Sequence, residues 1–491
     1  MTVGQSAADA GDGKADTEQV VGAVVVSGAA QFGAKIVLFV LNVVAALAIV
    51  RYLGPSGYGD YIFVLSFAAV FGLLSELGLN KVVTREMSRD PAAIPGLVGT
   101  AIVGQLLLAV LGWVAAQLAF TLIEGHGDLR AAVAIASLLY FTEAISLSLA
   151  AIFQVRLALQ YDAVARVVAQ ALDTALILWL ISAGAGLLWL IAAPVLTGAI
   201  GVLVAAVMVY LRFRTALRVD LLRLPPLLRE ALPVGLTSIV VIAYLRLDSV
   251  LLGILGTSED VGFYGAASRP VEYLILALAV LVNVMFPLLA RWYGVDPRRF
   301  AALYAHGASA LLAVSVPIAV TVLVFAGEVV TLLYPSDFAP SAAILRLLVG
   351  SVVFTVLGAW AGFALLSAGR QRIVLACNAG ALILNVVMNL ALIPPAGYMG
   401  AAAAALVTSI VVAGSTMLFA ARRLSVSLDR RRSARLLLAN CCLGVVAVSS
   451  LSVGLPWAVA ASIALVSYPL FLWLWRAVSR DEIAVVAAGV R

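Results

Sequence analysis

The sequence predicts an all-α polytopic membrane protein with about fourteen transmembrane helices, on three observations. Hydrophobic residues make up 64% of the chain and charged residues only 11%, whereas a soluble domain is about one-quarter charged. The apolar residues come in runs of about 18–25, the length of a helix that crosses a bilayer. The runs are rich in Ala, Gly, Val and Leu, and small residues let helices pack closely where lipid supplies no hydrophobic push between them. The alternating strands of an outer-membrane barrel, about ten residues each, have no counterpart here.

In chain order, spans are expected at 23–50, 60–80, 97–123, 131–154, 163–183, 186–211 and 231–254. The rest are expected at 262–289, 300–325, 341–368, 373–393, 398–420, 435–453 and 456–476. Residues 1–22 read as a cytoplasmic tail. Asp9, Asp12, Lys14, Asp16 and Glu18 make it unlike the basic start of a cleaved signal peptide. The connections are short, the longest internal one running from Arg212 to Glu230, about nineteen residues and partly amphipathic. None is large enough to be a soluble domain holding a nucleotide site or a glycosyltransferase fold.

Charge orients the spans. With the N-terminus inside, 25 of the 31 Lys and Arg fall in cytoplasmic segments and only Arg51 and Arg130 in outer loops. The remaining four, Lys35, Arg246, Arg269 and Arg346, lie within spans. The positive-inside rule therefore puts both termini in the cytoplasm, in the inner membrane. It also accounts for the net charge of +6 without any nucleic acid. There is no GxxxxGK[ST] loop for phosphates. Cys377, Cys441 and Cys442 all sit in apolar segments, which excludes a disulfide framework and a cysteine-based zinc site. His126 and His306 are far apart in topology and read as ordinary boundary residues rather than ligands. No cofactor is implied and no enzymatic motif is present.

The chain repeats itself. Leu53-Gly54-Pro55-Ser56 falls on Leu255-Gly256-Thr257-Ser258 at an offset of 202. After one inserted residue, Gly59-Asp60-Tyr61 falls on Gly262-Phe263-Tyr264. "REMSRDP" from Arg85 matches "RWYGVDP" from Arg291 in the spacing of Arg and Asp-Pro, at an offset of 206. Each first phrase joins spans one and two of a six-span unit. Two six-helix lobes are therefore expected, 23–220 and 221–425, with two additional helices and a tail over 426–491. Six is even, so both lobes face the same way, related by a pseudo-twofold along the membrane normal.

Four stretches carry a family resemblance: "RYLGPSGYGDYIFVLSF…ELGLNKVVTRE", "RLDSVLLGILGTSEDVGFYGAASRPVEYL", "LLYPSDFAPSAAILRLL" and "NAGALILNVVMNLALIPPAGYMGAAAAALVTS". Together, over about residues 25–420, they resemble the polysaccharide-biosynthesis flippases. These are the Wzx-like branch of the multidrug/oligosaccharidyl-lipid/polysaccharide transporter superfamily. The resemblance implies two six-helix lobes around a central cavity. It implies movement of a polyprenyl-diphosphate-linked oligosaccharide from the inner to the outer leaflet by alternating access. It also implies membrane lipid and polysaccharide polymerases or glycosyltransferases as partners.

Polar residues inside the spans are the candidates for the site, because ionisable groups are costly in a bilayer. Ser27, Gln31, Lys35 and Asn42 fall within about an 80° arc of span 1. Thr237, Tyr244 and Asp248 form a stripe of about 40° on span 7. The 202-residue offset makes Lys35 and Thr237, and Asn42 and Tyr244, symmetry mates. Asn378, Asn385 and Asn389 line span 11, and Arg166, Gln170 and Asp173 line span 5. The asparagines could equally be hydrogen-bond glue between helices. Arg246, two residues from Asp248, points to the opposite side of its helix. Asp248 and Arg269 lie at equal depth on consecutive helices and form a candidate ion pair, with Glu272 as the competing partner at i+3 from Arg269.

A diphosphate needs cations, and Lys35, Arg246 and Arg269 are within reach. The spans also hold Glu76, Glu143, Asp173, Asp248 and Glu272, so charge counting alone does not choose an anionic lipid over a cationic drug. The acids also offer sites for H⁺ or Na⁺. Three classes are therefore carried forward: a lipid-linked oligosaccharide flippase, a cation-coupled multidrug or small-molecule exporter of the same superfamily, and a membrane-embedded polymerase or ligase. The last would bring a sizeable outer loop with catalytic residues, and the outer loops are short.

Overall fold

A computed structural model describes residues 5–123, 127–214 and 217–475. Within these, the side chains of residues 5–30 and of Phe32, Val234, Thr237, Ser238, Val241, Ile242, Tyr244, Leu245 and Arg430 lie outside the described residues. Fifteen α-helices are described, and no strand occurs among the described residues.

Two glycines divide the longest helices. Helix α1 (Gln5–Glu76) breaks at Gly54, with φ 65° and ψ −177°. Helix α13 (Gln371–Leu424) breaks at Gly397, with φ 51° and ψ −132°. Both glycines hold a positive φ that a side chain would strain, and Pro55 removes a backbone donor just after the first break. The expected two-span pairs, 23–50 with 60–80 and 373–393 with 398–420, are thus each two helices that meet at one non-helical glycine with almost no loop between them. Helix α1 begins inside the expected tail. Ala7, Ala8, Ala10 and Ala15 favour helix there, and an existing helix propagates more easily than a new one nucleates.

After a turn with positive φ at Leu77 and Gly78, α2 (Leu79–Arg89) runs as a short amphipathic helix. It buries Leu79, Val82, Val83 and Met87 and exposes Lys81, Arg85 and Arg89. Then follow α3 (Ile94–Phe120), α4 (Arg130–Ser137), α5 (Leu139–Val155), α6 (Leu159–Ser182), α7 (Leu187–Phe213) and α8 (Leu224–Leu255). The expected fourth span is α4 and α5 together, interrupted at Leu138. Next come α9 (Ser258–Trp292), α10 (Pro297–Val324), α11 (Ala326–Leu333) and α12 (Ser341–Ser367). Helices α14 (Arg430–Ser452) and α15 (Trp457–Leu474) close the described chain. Among the described residues, 11 helical stretches are long and apolar enough to cross a membrane. Two of them contain the breaks at Gly54 and Gly397, and α8 adds 32 residues, about 48 Å of helix.

The chain forms two compact units. The first comprises Met1–Leu53 and Phe63–Arg246. Its core joins α2, α3 and α5 through Leu79, Met87, Ile94, Val98, Ile152 and Phe153. The ion pairs of Arg85 with Glu86 and Glu230 tie α2 to the start of α8.

The second unit comprises Gly54–Ile62 and Leu247–Arg491. Here the fully buried Trp360 of α12 donates its indole N–H to the Tyr304 carbonyl of α10 at 3.0 Å. Gly307 leaves the room that the Trp360 ring fills. Helices α14 and α15 pack on α10, and Tyr468 Oη donates to the Ala313 carbonyl at 3.0 Å.

Within this second unit the two repeat phrases lie against each other. A Cβ on Gly59 would overlap the Ser258 carbonyl, and one on Gly262 would overlap the Pro55 carbonyl. The absence of both side chains lets the two backbones touch. Ser258 Oγ donates to Asp60 Oδ1 at 2.6 Å. Thr257 and Asp260 cap α9 reciprocally, so its first turn is held from both sides.

Candidate functional site

In the first unit α1, α5, α6 and α7 enclose a cleft of about 420 Å³. Its size lies in the range of small-molecule sites, about 300–1,000 Å³. Nine of the seventeen lining residues are polar, on helices that are otherwise apolar. Arg166, Gln170 and Asp173 stand at i, i+4 and i+7 on α6, one face of that helix. Asn42 comes from α1, Thr142, Glu143 and Ser146 from α5, and Thr197 from α7. Gly198 and Gly201 of α7 leave no space for side chains against Thr142 and Ala169, so three helices close tightly around the polar face.

The polar groups of the cleft are organised by one another. Arg166 Nε donates to Asp162 Oδ2 at 2.9 Å. Asp173 accepts from Thr197 Oγ1 at 3.2 Å and from Gln170 Nε2 at 3.4 Å. Asn42 Nδ2 donates to the Leu38 carbonyl one turn back.

The second unit holds a buried carboxylate. Asp248 of α8 is 8% exposed, and Asn385 and Asn389 of α13 are fully buried. Asp248 Oδ1 accepts from Asn385 Nδ2 at 2.9 Å and from Asn389 Nδ2 at 2.7 Å, and Oδ2 accepts from Tyr264 Oη of α9 at 3.0 Å. Four residues apart, the two asparagines share one face of α13. A carboxylate taken from water needs such donors. Asn389 Oδ1 is buried without a donor among the described residues. The carboxylate thus faces two amide N–H donors and a phenol O–H, and a proton or a hard monovalent cation would compete with these donors for its oxygens.

Arg269 and Glu272 meet on α9. Arg269 Nη1 lies 3.1 Å from Glu272 Oε2. The ion pair expected between Asp248 and Arg269 is not formed. Equal depth on consecutive helices sets height but not direction, and Glu272 at i+3 is on the same helix face as Arg269. The oxygens of Asp248 are already taken by three neutral donors.

The remaining expected residues are scattered. Lys35 is exposed on α1 and makes no hydrogen bond or ion pair with a described residue. Gln31 Nε2 donates to the Leu159 carbonyl at 3.1 Å. Arg246 is half-buried at the end of the first unit. Asn378 is tied to its own helix through the Val374 carbonyl. Tyr244 and Thr237 fall outside the described side chains, and His126 outside the described residues. The expected set therefore separates into Asp248 with Asn385, Arg269 with Glu272, and Asn42 in the cleft.

Sequence reasoning left out Thr142, Ser146, Asp162 and Thr197, and named Glu143 only among the span acids that offer a site for H⁺ or Na⁺. Glu143 and the α6 stripe carried a signal as polar groups inside spans. The small hydroxyl residues did not, because Ser and Thr recur throughout these spans as i−4 hydrogen bonders.

Comparisons with known proteins agree with this architecture. The sequence pattern of the family described as polysaccharide biosynthesis protein matches residues 48–343. A curated relative from Haloferax volcanii, the probable low-salt glycan biosynthesis flippase Agl15, is 23% identical over 178 residues. That match spans 36% of this chain and 37% of the relative, so the chain spans little more than a third of that relative's length in alignment. The lipid II flippase MurJ in an inward closed conformation superposes with a TM-score of 0.76 at 13% identity, covering 94% of this chain and all of MurJ. An inward-facing multidrug resistance MATE family transporter of the MOP superfamily gives 0.67 at 17% identity, covering 79% of this chain and 94% of its own. These structures share the fold. With its pattern matched over more than half its length, the chain belongs to the polysaccharide biosynthesis protein family.

Proposed function

We propose that this protein is a flippase that moves a polyprenyl-diphosphate-linked oligosaccharide from the cytoplasmic to the outer leaflet by alternating access, for cell-surface polysaccharide assembly. The observation that carries the reading is the polar cleft inside an otherwise apolar membrane-spanning unit. Asn42, Thr142, Ser146, Gln170 and Thr197 offer the amides and hydroxyls that sugar hydroxyls need for hydrogen bonding. Lys35 lies seven residues before Asn42 on the same unbroken part of α1, nearly the same helical direction and about 10 Å away along the axis. A head group in the cleft would meet its diphosphate on that lysine. The similarity to Agl15, a probable glycan biosynthesis flippase, and to the lipid II flippase MurJ supports the substrate class. Polymerases and glycosyltransferases of the same assembly route are the partners this reading implies, and the orientation rests on the distribution of Lys and Arg.

Asp248 with Asn385, Asn389 and Tyr264 is assigned to coupling rather than to the head group, because its carboxylate is buried and already bonded by two amides and a phenol. Binding of Na⁺ or H⁺ there would displace the neutral donors that now hold the carboxylate, and so bias the packing of α8 against α13.

A second reading has its own observation. Glu143, Asp162 and Asp173 line the cleft against the single cation Arg166, a balance that suits a cationic small molecule, as in a cation-coupled exporter. One experiment separates the two. The full chain is reconstituted in liposomes with a fluorescent short-chain polyprenyl-diphosphate sugar, and accessibility of the label to an impermeant quencher is followed. Translocation faster than in protein-free liposomes, and lost in Lys35→Ala, supports the flippase. No acceleration, with export of a lipophilic cationic dye instead, overturns it.

A further inference from the structure

The stretch from the last turn of α7 to the first turns of α8 carries a feature that no step of lipid-linked glycan transport requires. Leu211, Leu217, Val219, Leu221 and Leu222 all expose their side chains, Leu221 at 59% and Leu222 at 90%. Loops outside a bilayer do not normally present adjacent leucines to water, since each would gain by burial. Arg212, Arg214, Arg218, Arg223 and Arg229 are exposed in the same stretch.

The segment is held in a definite shape. Arg218 N–H donates to the Pro95 carbonyl at 2.9 Å. Thr100 Oγ1, on a fully buried residue, accepts from Asp220 N–H at 3.0 Å and lies 3.2 Å from the Asp220 carbonyl. Gly99 is required at this crossing, because a Cβ there would overlap the Arg218 carbonyl. Asp220 caps the following turn through Leu222 N–H and pairs with Arg223 at 3.0 Å. With the backbone pinned to the start of α3, the leucines and arginines have no inward direction left. Asp220 neutralises Arg223, and Glu230 is engaged by Arg85. Arg212, Arg214, Arg218 and Arg229 have no ion pair with a described residue.

We infer that residues 211–214 and 217–229 form a docking surface for the acidic phospholipids of the adjacent leaflet, with Leu221 and Leu222 inserted at the acyl boundary and Arg212, Arg214, Arg218 and Arg229 on lipid phosphates. The chemistry is complementary in both parts. Guanidinium groups take phosphate oxygens in bidentate fashion, and an apolar wedge beside a basic cluster is the composition of an interfacial anchor. Helix α7 is long and apolar enough to cross a membrane, and with α8 as the next span the segment that joins them would lie at the height of the head groups. A soluble acidic protein would satisfy the arginines but leave no reason for the leucine pair.

The test uses the full chain in nanodiscs that mix phosphatidylglycerol with phosphatidylcholine. Lipids retained by the protein after mild detergent extraction are counted by native mass spectrometry. Arg212, Arg214, Arg218 and Arg229 are changed to Gln together, and in a separate protein Leu221 and Leu222 are changed to Ser. A spin label on Leu222→Cys, with the three native cysteines replaced by Ala, reports depth through its collisions with oxygen and with an aqueous nickel chelate. The expected results are at least a threefold loss of retained phosphatidylglycerol in the arginine variant, with phosphatidylcholine unchanged. The label should favour oxygen over the chelate, and the Leu221→Ser, Leu222→Ser protein should retain fewer lipids of both kinds. Raising salt from 0.1 to 1 M, which shortens the screening length from about 10 to about 3 Å, should reproduce the arginine effect in the unaltered protein. Equal phosphatidylglycerol retention in the arginine variant and the unaltered protein, or a label at Leu222→Cys that reports only water, would overturn the inference. Retention that survives in all variants assigns the acidic lipids to another surface and overturns it equally.

Discussion

Ser258 Oγ donates a 2.6 Å hydrogen bond to Asp60 Oδ1, across 198 residues of sequence. Ser258 opens helix α9, and Asp60 lies in the matching phrase of the first repeat. The bond sits beside the point where Gly59 and Gly262, equivalent positions of the two phrases, bring their backbones into contact. A phrase used twice in the sequence is therefore packed against its own copy in the fold.

Because there is no space for a side chain at this crossing, Gly59→Ala and Gly262→Ala should each destabilise the protein by about 1–3 kcal/mol, as overpacking does. Gly33→Ala, where nothing lies within 4 Å of a built Cβ, is the control. Thermal unfolding in detergent, followed by tryptophan fluorescence, should show a lower transition for the first two only. Unchanged transitions in both would mean that the contact is not maintained in the membrane protein.

The second prediction concerns Arg269. Its partner is Glu272, at 3.1 Å, so exchanging the two charges, Arg269→Glu with Glu272→Arg, should restore more transport than either single reversal. The corresponding exchange with Asp248 should restore none. Rescue by the Asp248 exchange would show that the pair at Glu272 is not the one that matters to transport.

Asp248 is assigned to coupling. Asp248→Asn should keep the buried packing, because the amide still offers an oxygen to Asn385 or Asn389, while transport loses its dependence on a Na⁺ or H⁺ gradient. Asn389→Leu should cost stability as well, since Asp248 then loses one of three donors; breaking a hydrogen bond to a buried charge costs about 1.5–3 kcal/mol or more. Gradient-driven and gradient-free uptake into proteoliposomes measures the first effect. A gradient dependence unchanged in Asp248→Asn would remove the residue from coupling.

Lys35 carries the head-group assignment. Lys35→Ala should abolish transport without lowering the amount of protein in the membrane, and Lys35→Arg should retain part of it, since charge survives while geometry changes. Thr237→Ala, at the equivalent position of the second repeat, should cost much less. Transport by Lys35→Ala at the unaltered rate would clear the lysine of any role.

The orientation proposed from charge is tested by cysteine labelling in intact cells. Cysteines at Thr257 and Ser336 should react with an impermeant thiol reagent, and those at Ser88 and Ser427 should not. The opposite pattern would reverse the topology and the direction of transport with it.

The sequence by itself determined the helices and the repeat. Runs of apolar residues have a local cause in bilayer-length hydropathy, while the breaks at Gly54 and Gly397 became evident only in the structure, where each glycine holds a positive φ. The matching phrases that contain Gly59 and Gly262 were legible as two segments that meet one local requirement. Partner choice depended on the tertiary structure. Asp248 reaches Asn385 across 137 residues and not Arg269 on the next helix, because height along a helix can be counted from sequence while the direction a side chain faces is set by how neighbouring helices rotate and pack. The cleft was legible only in its α6 stripe of Arg166, Gln170 and Asp173. Thr142, Ser146 and Thr197 join that stripe because the glycines of α7 let three helices close around it, and packing of that kind has no signature in any one segment of the chain.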